Sequence, residues 1–439
     1  ALVQDPSLWW SPSFLGSPPE VPALLPYWLG AWALKWAPQA WDATWVSRLP
    51  YLTMLVLTLA FTWKAIESLA RRPSAQPVAF AFGGEAQPED YARVMADAGL
   101  LAMVACLGLA QASHEVTPMA AQLCLCSMLF CAIASLNTRH CVWYLVLAVL
   151  SLLGLTLSGA PTLSLLLGLC AMVSVGLDAS AKLPRAVSLG TLLAAVVVGA
   201  VCAQQLGLWQ FTWRGWPESG AKWAKLLRLW VWFTWPAWPL VIWSLWVWRG
   251  TWLKLRPSGH MVWPLLLMGP PALASLFTVQ EERAILLTLP SMAALSAFAL
   301  PTLKRSVSAL IDWFTLLFFS GSALIIWIVW LAGVTGWPAQ PAANVARVLP
   351  GLDLRFSAWA FAPALLATLT WIALVSWRVG KHRGALWKSL VLPASGATLC
   401  WLLLMSLWLP MINYARGYAP QAQAAARLVG QAPCVQVLG

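Results

Sequence analysis

Charge is what this 439-residue sequence has least of. Only 10% of its residues are Asp, Glu, Lys or Arg, against about a quarter in soluble domains. With 60% of the chain hydrophobic, a water-soluble fold of this size could not hide its apolar surface, and that class is excluded. Histidine is as sparse: His114, His140, His260 and His382 are scattered, which leaves no metal-ligand spacing. The nine Cys make no disulfide framework. Cys106, Cys124, Cys126, Cys131, Cys141, Cys170, Cys202 and Cys400 lie in or beside apolar runs, where buried free thiols are expected. Only Cys434 lies outside one. No signal peptide opens the chain at Ala1. Phe82-Gly83-Gly84-Glu85 is not a phosphate-binding glycine fingerprint. The net charge of +12 is dispersed singly or in twos and threes between apolar runs. That pattern excludes nucleic acid as a partner and points to membrane lipids.

What is present is a series of long apolar runs. A span needs about 20 apolar residues, and twelve runs qualify: 50–70, 95–112, 118–136, 141–158, 161–177, 186–205, 229–248, 262–279, 284–301, 308–334, 358–377 and 389–410. None alternates polar and apolar residues as a barrel strand would, so all are expected to be helices. The fold class is therefore all-α, a polytopic integral membrane protein.

The connecting segments fall on alternate sides. One side holds Arg71-Arg72, Arg139, Lys182 with Arg185, Arg249 with Lys254 and Arg256, Lys304-Arg305, and Arg378 with Lys381, Arg383 and Lys388. Short, consistently basic loops mark the cytoplasmic side. The other side holds Ser113-His114-Glu115, Glu281-Glu282-Arg283, the Pro-rich 335–357 loop and both ends. An outside start without a leader implies one further helix upstream, thirteen in all. Residues 411–439 turn polar and read as the start of an extracytoplasmic domain cut short. The expected organisation is a first outer loop at 1–49, a transmembrane domain at 50–410 and the beginning of an outer domain at 411–439.

Ionisable groups within the spans are few. Lys64 with Glu67, and Asp312, sit near span ends, where snorkelling or local pairing accounts for them better than a proton relay. With no mid-membrane string of carboxylates and no inverted halves, ion-coupled transport is disfavoured.

Polar character gathers on the outer face. Trp28, Trp32 and Trp36 fall at i, i+4 and i+8 on a helix too short to span, with Lys35 beside them and Glu20 before them in a proline-stiffened loop. Such an amphipathic helix lies in the headgroup plane, as an interfacial anchor or as part of a substrate site. Arg48 follows at the membrane surface. The 206–228 loop breaks the charge rule with Arg214, Lys222, Lys225 and Arg228, the last three on one helical face opposite Trp223, Leu226 and Trp230. It is either a plain surface helix or one that gathers an anionic lipid. Glu281-Glu282-Arg283 reads as a helix-starting charge pair or as a third polar cluster at a span mouth.

These outer segments resemble a family. Pro18-Pro19-Glu20-Val21-Pro22 through Tyr27-Trp28 is similar to the first outer loop of bacterial glycosyltransferases related to aminoarabinose lipid A transferase and protein O-mannosyltransferases. Ser47-Arg48-Leu49-Pro50 resembles the Ala-Arg-Leu-Pro that follows it there. Gly154-Leu-Thr-Leu-Ser-Gly159-Ala-Pro161 is similar to a Leu-Thr-Lys-Gly-Pro turn, and Arg283-Ala-Ile-Leu-Leu-Thr-Leu-Pro290 to an Arg-Tyr-Leu-Leu-Pro-Leu-Leu-Pro helix. Tyr414-Ala-Arg-Gly-Tyr418-Ala-Pro420 resembles the start of the outer domain. Two departures stand out: Val21 and Ser158 occupy places where the family has Lys.

The resemblance implies a C-type glycosyltransferase of the bacterial inner membrane, multi-pass, with its active face periplasmic. It would move a sugar from a polyprenyl-phosphate carrier to a lipid or protein acceptor. It implies a catalytic Asp-Glu pair at or before residue 1; Asp5 lies too close to Trp9-Trp10 for that place. Lys35, Arg48, Arg283, Lys222 and Lys225 are the candidates for holding lipid phosphate. Glu20 is the candidate for acceptor positioning or metal contact, and any metal would be a loosely held divalent ion. The rival readings are a transporter or flippase of lipid-linked sugar and a noncatalytic membrane scaffold.

Overall fold

The computed structural model describes residues 6–13, 17, 19–38, 40–76, 87–112, 116–178, 180, 182–209, 215–216, 219–253, 259–278, 281–379, 390–418, 422 and 425–427. Asp5, the Phe82–Glu85 stretch, His114-Glu115, Arg214, Lys254, Arg256, the 381–388 basic cluster, Pro420 and the tail with Cys434 lie outside the described residues.

No strand occurs among the described residues. The helices are α1 (Leu25–Trp36), α2 (Ala43–Ala70), α3 (Pro88–Ala105), α4 (Leu107–Ala112), α5 (Pro118–Ala134), α6 (Cys141–Leu157), α7 (Pro161–Leu177), α8 (Arg185–Gln205), α9 (Gly220–Phe233) and α10 (Ala237–Val247). They continue with α11 (Arg249–Trp252), α12 (Gly259–Phe277), α13 (Glu281–Leu286), α14 (Leu289–Ala299), α15 (Arg305–Thr335), α16 (Ala339–Val348), α17 (Ala358–Val379), α18 (Val391–Ser406) and α19 (Leu409–Arg416).

Five of these, α2, α8, α12, α15 and α17, are long and apolar enough to cross a membrane, and α18 with α19 makes a sixth if its 67° bend lies within one span. Helices α5, α6, α7, α10 and α14 are apolar but shorter. At about 1.5 Å per residue, a helix the length of α5 covers roughly 26 Å, close to the ~30 Å hydrocarbon core.

The expected runs map onto these helices with four interruptions, and α2 and α3 begin at Ala43 and Pro88, before the runs read from 50 and 95. The 95–112 run breaks at Cys106 into α3 and α4, and 229–248 breaks at Thr234-Trp235-Pro236 between α9 and α10. The 284–301 run divides at Leu287-Thr288, and 389–410 bends between α18 and α19. Hydropathy does not register these breaks because the side chains stay apolar through them. Two of the breaks lie against each other. The Leu107 amide donates to the Trp235 carbonyl at 3.4 Å, the Cys106 thiol donates to the Thr234 carbonyl at 3.7 Å, and Gly108 faces the Phe233 ring. Backbone polar groups freed by one interrupted helix thus meet those freed by the other, as an apolar surround requires.

The chain divides into two compact units, residues 1–308 with 386–394, and residues 309–385 with 395–439. In the first, α14 is buried along its whole length and packs against α2, α3, α10 and α12. Small residues make this approach possible. A methyl group at Gly99 of α3 would stand 2.3 Å from Ile66 Cδ1 and 3.2 Å from the Ala293 carbonyl, so backbones meet there at a distance only small residues allow. Buried Glu67 is paired with both Lys64 and Arg71. Arg72 reaches Asp178 at 3.2 Å, both buried, and lies 3.5 Å over the Trp263 ring. Cys106, Cys124, Cys126 and Cys131 are buried free thiols.

The second unit is held by aromatic contacts between α15 and α17. Trp327 donates to Thr368 Oγ1 at 3.1 Å, Trp371 to Ser320 Oγ at 3.0 Å, and Phe361 packs on Trp327 and Trp330. Asp312 is paired with Arg378 at 2.7 Å. Each acidic group read near a span end therefore has a basic partner beside it.

Candidate functional site

The first outer loop is fastened from several directions. The Leu24 amide donates to the Leu157 carbonyl at 2.7 Å, the Tyr27 hydroxyl to the Val21 carbonyl at 3.0 Å, and the buried Tyr51 hydroxyl to the Pro26 carbonyl at 3.0 Å. The α6–α7 turn lies flat against this loop. Gly159 has φ +80°, a left-handed conformation that costs other residues strain. A Cβ there would sit 2.7 Å from the Pro22 carbonyl oxygen and 2.8 Å from Val21 Cγ1. Glycine at 159 is what lets the turn and the Glu20-Val21-Pro22 segment touch. Gln122, buried on α5, donates to the Ser158 carbonyl at 2.8 Å and holds the same turn from behind.

These contacts frame a cavity of about 640 Å³. Glu20, Val21 and Pro22 line it from the loop, Gly159–Leu163 from the turn, Pro118, Met119 and Gln122 from α5, and Arg283, Ala284 and Leu287 from the α13 region. Pro270, Leu273, Ala274 and Phe277 of α12 close the remaining wall. Three segments that are separate in sequence, at 20–22, 159–161 and 283–287, thus meet at one site. Each carries one of the motifs that resemble the glycosyltransferase family.

The wall is mostly apolar, with a carboxylate at Glu20 and a guanidinium at Arg283. Both act on Tyr27, whose hydroxyl is pushed above its ordinary range first by burial and then by the Glu20 charge, with Arg283 opposing. The first turns of α5 and α7, each opened by a proline, also line the cavity. Amide groups of a helix's first turn lack intrahelical acceptors and carry the positive end of the dipole. Together with Arg283 they favour an anion. A divalent cation of the hard type takes six or more oxygens; the described lining supplies one carboxylate beside a guanidinium and does not make such a cage.

The structure brings Glu20 and Arg283 into one wall and places the other candidates elsewhere. Lys35 is exposed in the last turn of α1, and Arg48 is exposed near the start of α2. Lys222 and Lys225 are exposed on α9. None of the four is among the lining residues. The tryptophan stripe is only partly outward: Trp28 and Trp32 meet Trp9 and Trp10, and Trp28 donates to the Trp9 carbonyl at 2.8 Å, whereas Trp36 is 83% exposed. Sequence reasoning missed Gln122. A lone amide inside an apolar run carries no local signal; only the fold places it behind the turn.

The fold is that of a polytopic membrane protein, helical throughout its described residues, with Glu20 and Arg283 lining a cavity in its first unit. Among solved structures, this chain is similar to ArnT from Cupriavidus metallidurans in the apo state, with a TM-score of 0.52 and 15% identity over 95% of this chain and 72% of that one. The likeness is one of fold, and it is the fold of the aminoarabinose lipid A transferase to which the outer motifs pointed. No family model and no curated protein matches the chain.

Proposed function

We propose that this protein is a membrane glycosyltransferase that passes a sugar from a polyprenyl-phosphate carrier to an acceptor at the envelope face of the inner membrane. One observation carries the reading: the three motif-bearing segments, far apart in sequence, line one cavity with Glu20 and Arg283 on its wall. In such a transfer the acceptor oxygen bonds to the sugar's anomeric carbon and gives its proton to a carboxylate base, while the bond from that carbon to the carrier phosphate breaks and negative charge develops on the leaving phosphate. Groups aimed at developing charge in a water-poor site contribute strongly to catalysis. Arg283 and the first turns of α5 and α7 are suited to that charge. Glu20 orients the acceptor hydroxyl or phosphate, and Tyr27 keeps its loop in place.

The apolar wall suits the carrier's lipid chain. Leu166 of α7 and Leu273 of α12 line the cavity, and both remain partly exposed. The acceptor is a lipid A-like lipid or a protein, and the active face is periplasmic.

The test is transfer from a radiolabelled polyprenyl-phosphate sugar by the full-length protein in proteoliposomes, comparing wild type with Arg283→Gln and Glu20→Gln. Loss of transfer in both variants, with donor still retained by Glu20→Gln, is the expected result. Wild-type transfer by the Glu20→Gln/Arg283→Gln double variant would remove the assignment. Movement of lipid-linked sugar across the bilayer without transfer would favour the flippase reading.

A further inference from the structure

Helix α9 lies outside the cavity, and its composition is unlike that of its neighbours. Lys222, Lys225 and Arg228 fall on one side of the helix, which has no Asp or Glu of its own; the carboxylates nearest it in the chain and in its packing are Glu218 before it and Glu281-Glu282 at the start of α13. Lys225 and Arg228 are exposed. The apolar residues of α9 are not turned wholly inward either. Leu226 is buried, but Leu227 is 66% exposed, Trp232 54% and Trp223 43%. Exposed indoles and leucine beside basic side chains are the composition of a helix lying in a headgroup layer, where the rings enter the acyl boundary and the cations stay at phosphate level.

The helix is firmly seated. Ser219 caps its first turn by accepting from the Lys222 amide, and Trp230 donates to Ser275 Oγ of α12 at 3.2 Å. It also packs against α13, the helix that carries Arg283. Just before it, Trp216 meets Phe277, a residue of the cavity wall, edge-on at 4.9 Å between ring centroids. On the topology read from the basic loops, this is the face where short loops disfavour Lys and Arg.

We propose that α9 is a docking surface for anionic phospholipid headgroups, with Lys225 and Arg228 as its contacts and Lys222 adding charge at its start. This goes beyond the transfer reaction: it assigns the basic residues of α9 to the surrounding bilayer and not to the reacting phosphate. The charge complementarity commits the surface to anionic lipid, and the exposed Trp223, Leu227 and Trp232 distinguish a lipid from a free phosphate, which has nothing to offer them.

The test is native mass spectrometry of the protein released from nanodiscs of equal phosphatidylglycerol and phosphatidylcholine, counting retained lipids of each kind. A basic residue near an anionic surface is worth about fivefold in binding. The Lys225→Gln/Arg228→Gln variant is therefore expected to reduce the preference for phosphatidylglycerol by about tenfold or more. Lys225→Arg/Arg228→Lys is expected to keep it, as is Lys182→Gln, a basic residue remote in sequence from α9. Loading in ~1 M salt, where the screening length falls to about 3 Å, should abolish the wild-type preference. An unchanged preference in the Gln double variant, or displacement of the lipid by inorganic phosphate alone, would overturn the proposal. Lipid retention is read without any sugar transfer, so failure of the transfer reading leaves this outcome unaffected.

Discussion

Replacing Gly159 by alanine tests the joint between the outer loop and the α6–α7 turn. Two costs add. Alanine in the left-handed region costs about 1–2 kcal/mol, and the new methyl group would lie 2.7 Å from the Pro22 carbonyl oxygen and 2.8 Å from Val21 Cγ1. Overlaps of this kind cost roughly 1–3 kcal/mol when relieved by small backbone shifts. The lower conformational freedom of alanine in the unfolded chain returns about 0.4–1 kcal/mol. The net loss is about 1–5 kcal/mol, which in a chain of this length lowers the melting temperature in detergent by roughly 1–5 °C.

The shift that relieves the overlap moves Val21 and Pro22, which adjoin Glu20 on the cavity wall. A displacement of about 1 Å at a reacting centre can cost on the order of 100-fold in rate. The transfer assay should therefore fall much further than folded yield. Gly176→Ala and Gly190→Ala are the controls, since a Cβ at either meets nothing within 4 Å, and both should equal or exceed wild type in stability. A Gly159→Ala protein with wild-type melting and wild-type transfer would refute the reasoning.

Other outcomes follow from the same geometry. Gln122→Leu removes the amide that donates to the Ser158 carbonyl and should cost about 1–3 kcal/mol, measured by thermal unfolding, because a buried carbonyl is left unpaired. Arg72→Met leaves buried Asp178 with the Ser180 amide and hydroxyl but without its basic partner and should destabilise by up to about 3–5 kcal/mol, while Arg72→Met/Asp178→Leu recovers most of it. Tyr27, with its pKa raised above the usual value of about 10, contributes stability that is fully present below that value and lost as pH rises through its folded pKa. Stability curves of wild type and Tyr27→Phe should therefore run parallel through neutral pH and converge in strong alkali. A Tyr27-dependent transition near pH 7 would contradict this.

Much of the architecture could be read from apolar run lengths, because in lipid a helix is the one local structure that pairs its own backbone. Helices α5 to α8 lie within a residue or two of the runs read at 118–136, 141–158, 161–177 and 186–205. The interruptions at Cys106 and at Thr234-Trp235-Pro236 could not be read, since each is made possible by the other and neither segment alone records its partner. At the site, Glu20 and Arg283 could be found because each belongs to a motif with a recognisable order of residues. Lys35 and Arg48 drew attention by charge and nearness in sequence to Glu20, yet the turns of α1 and α2 carry both away from the lining. Gln122 carries no motif at all, and its role exists only once α5 stands behind the 158–160 turn.

The paired interruptions also have a mechanical meaning. Helices α4, α9 and α13 touch one another, and the break before α4 meets the break after α9, where the Leu107 amide donates to the Trp235 carbonyl. Trp230 ties α9 in turn to Ser275 of α12. Arg283, carried by the short α13, is therefore held through packed neighbours as well as by its own helix.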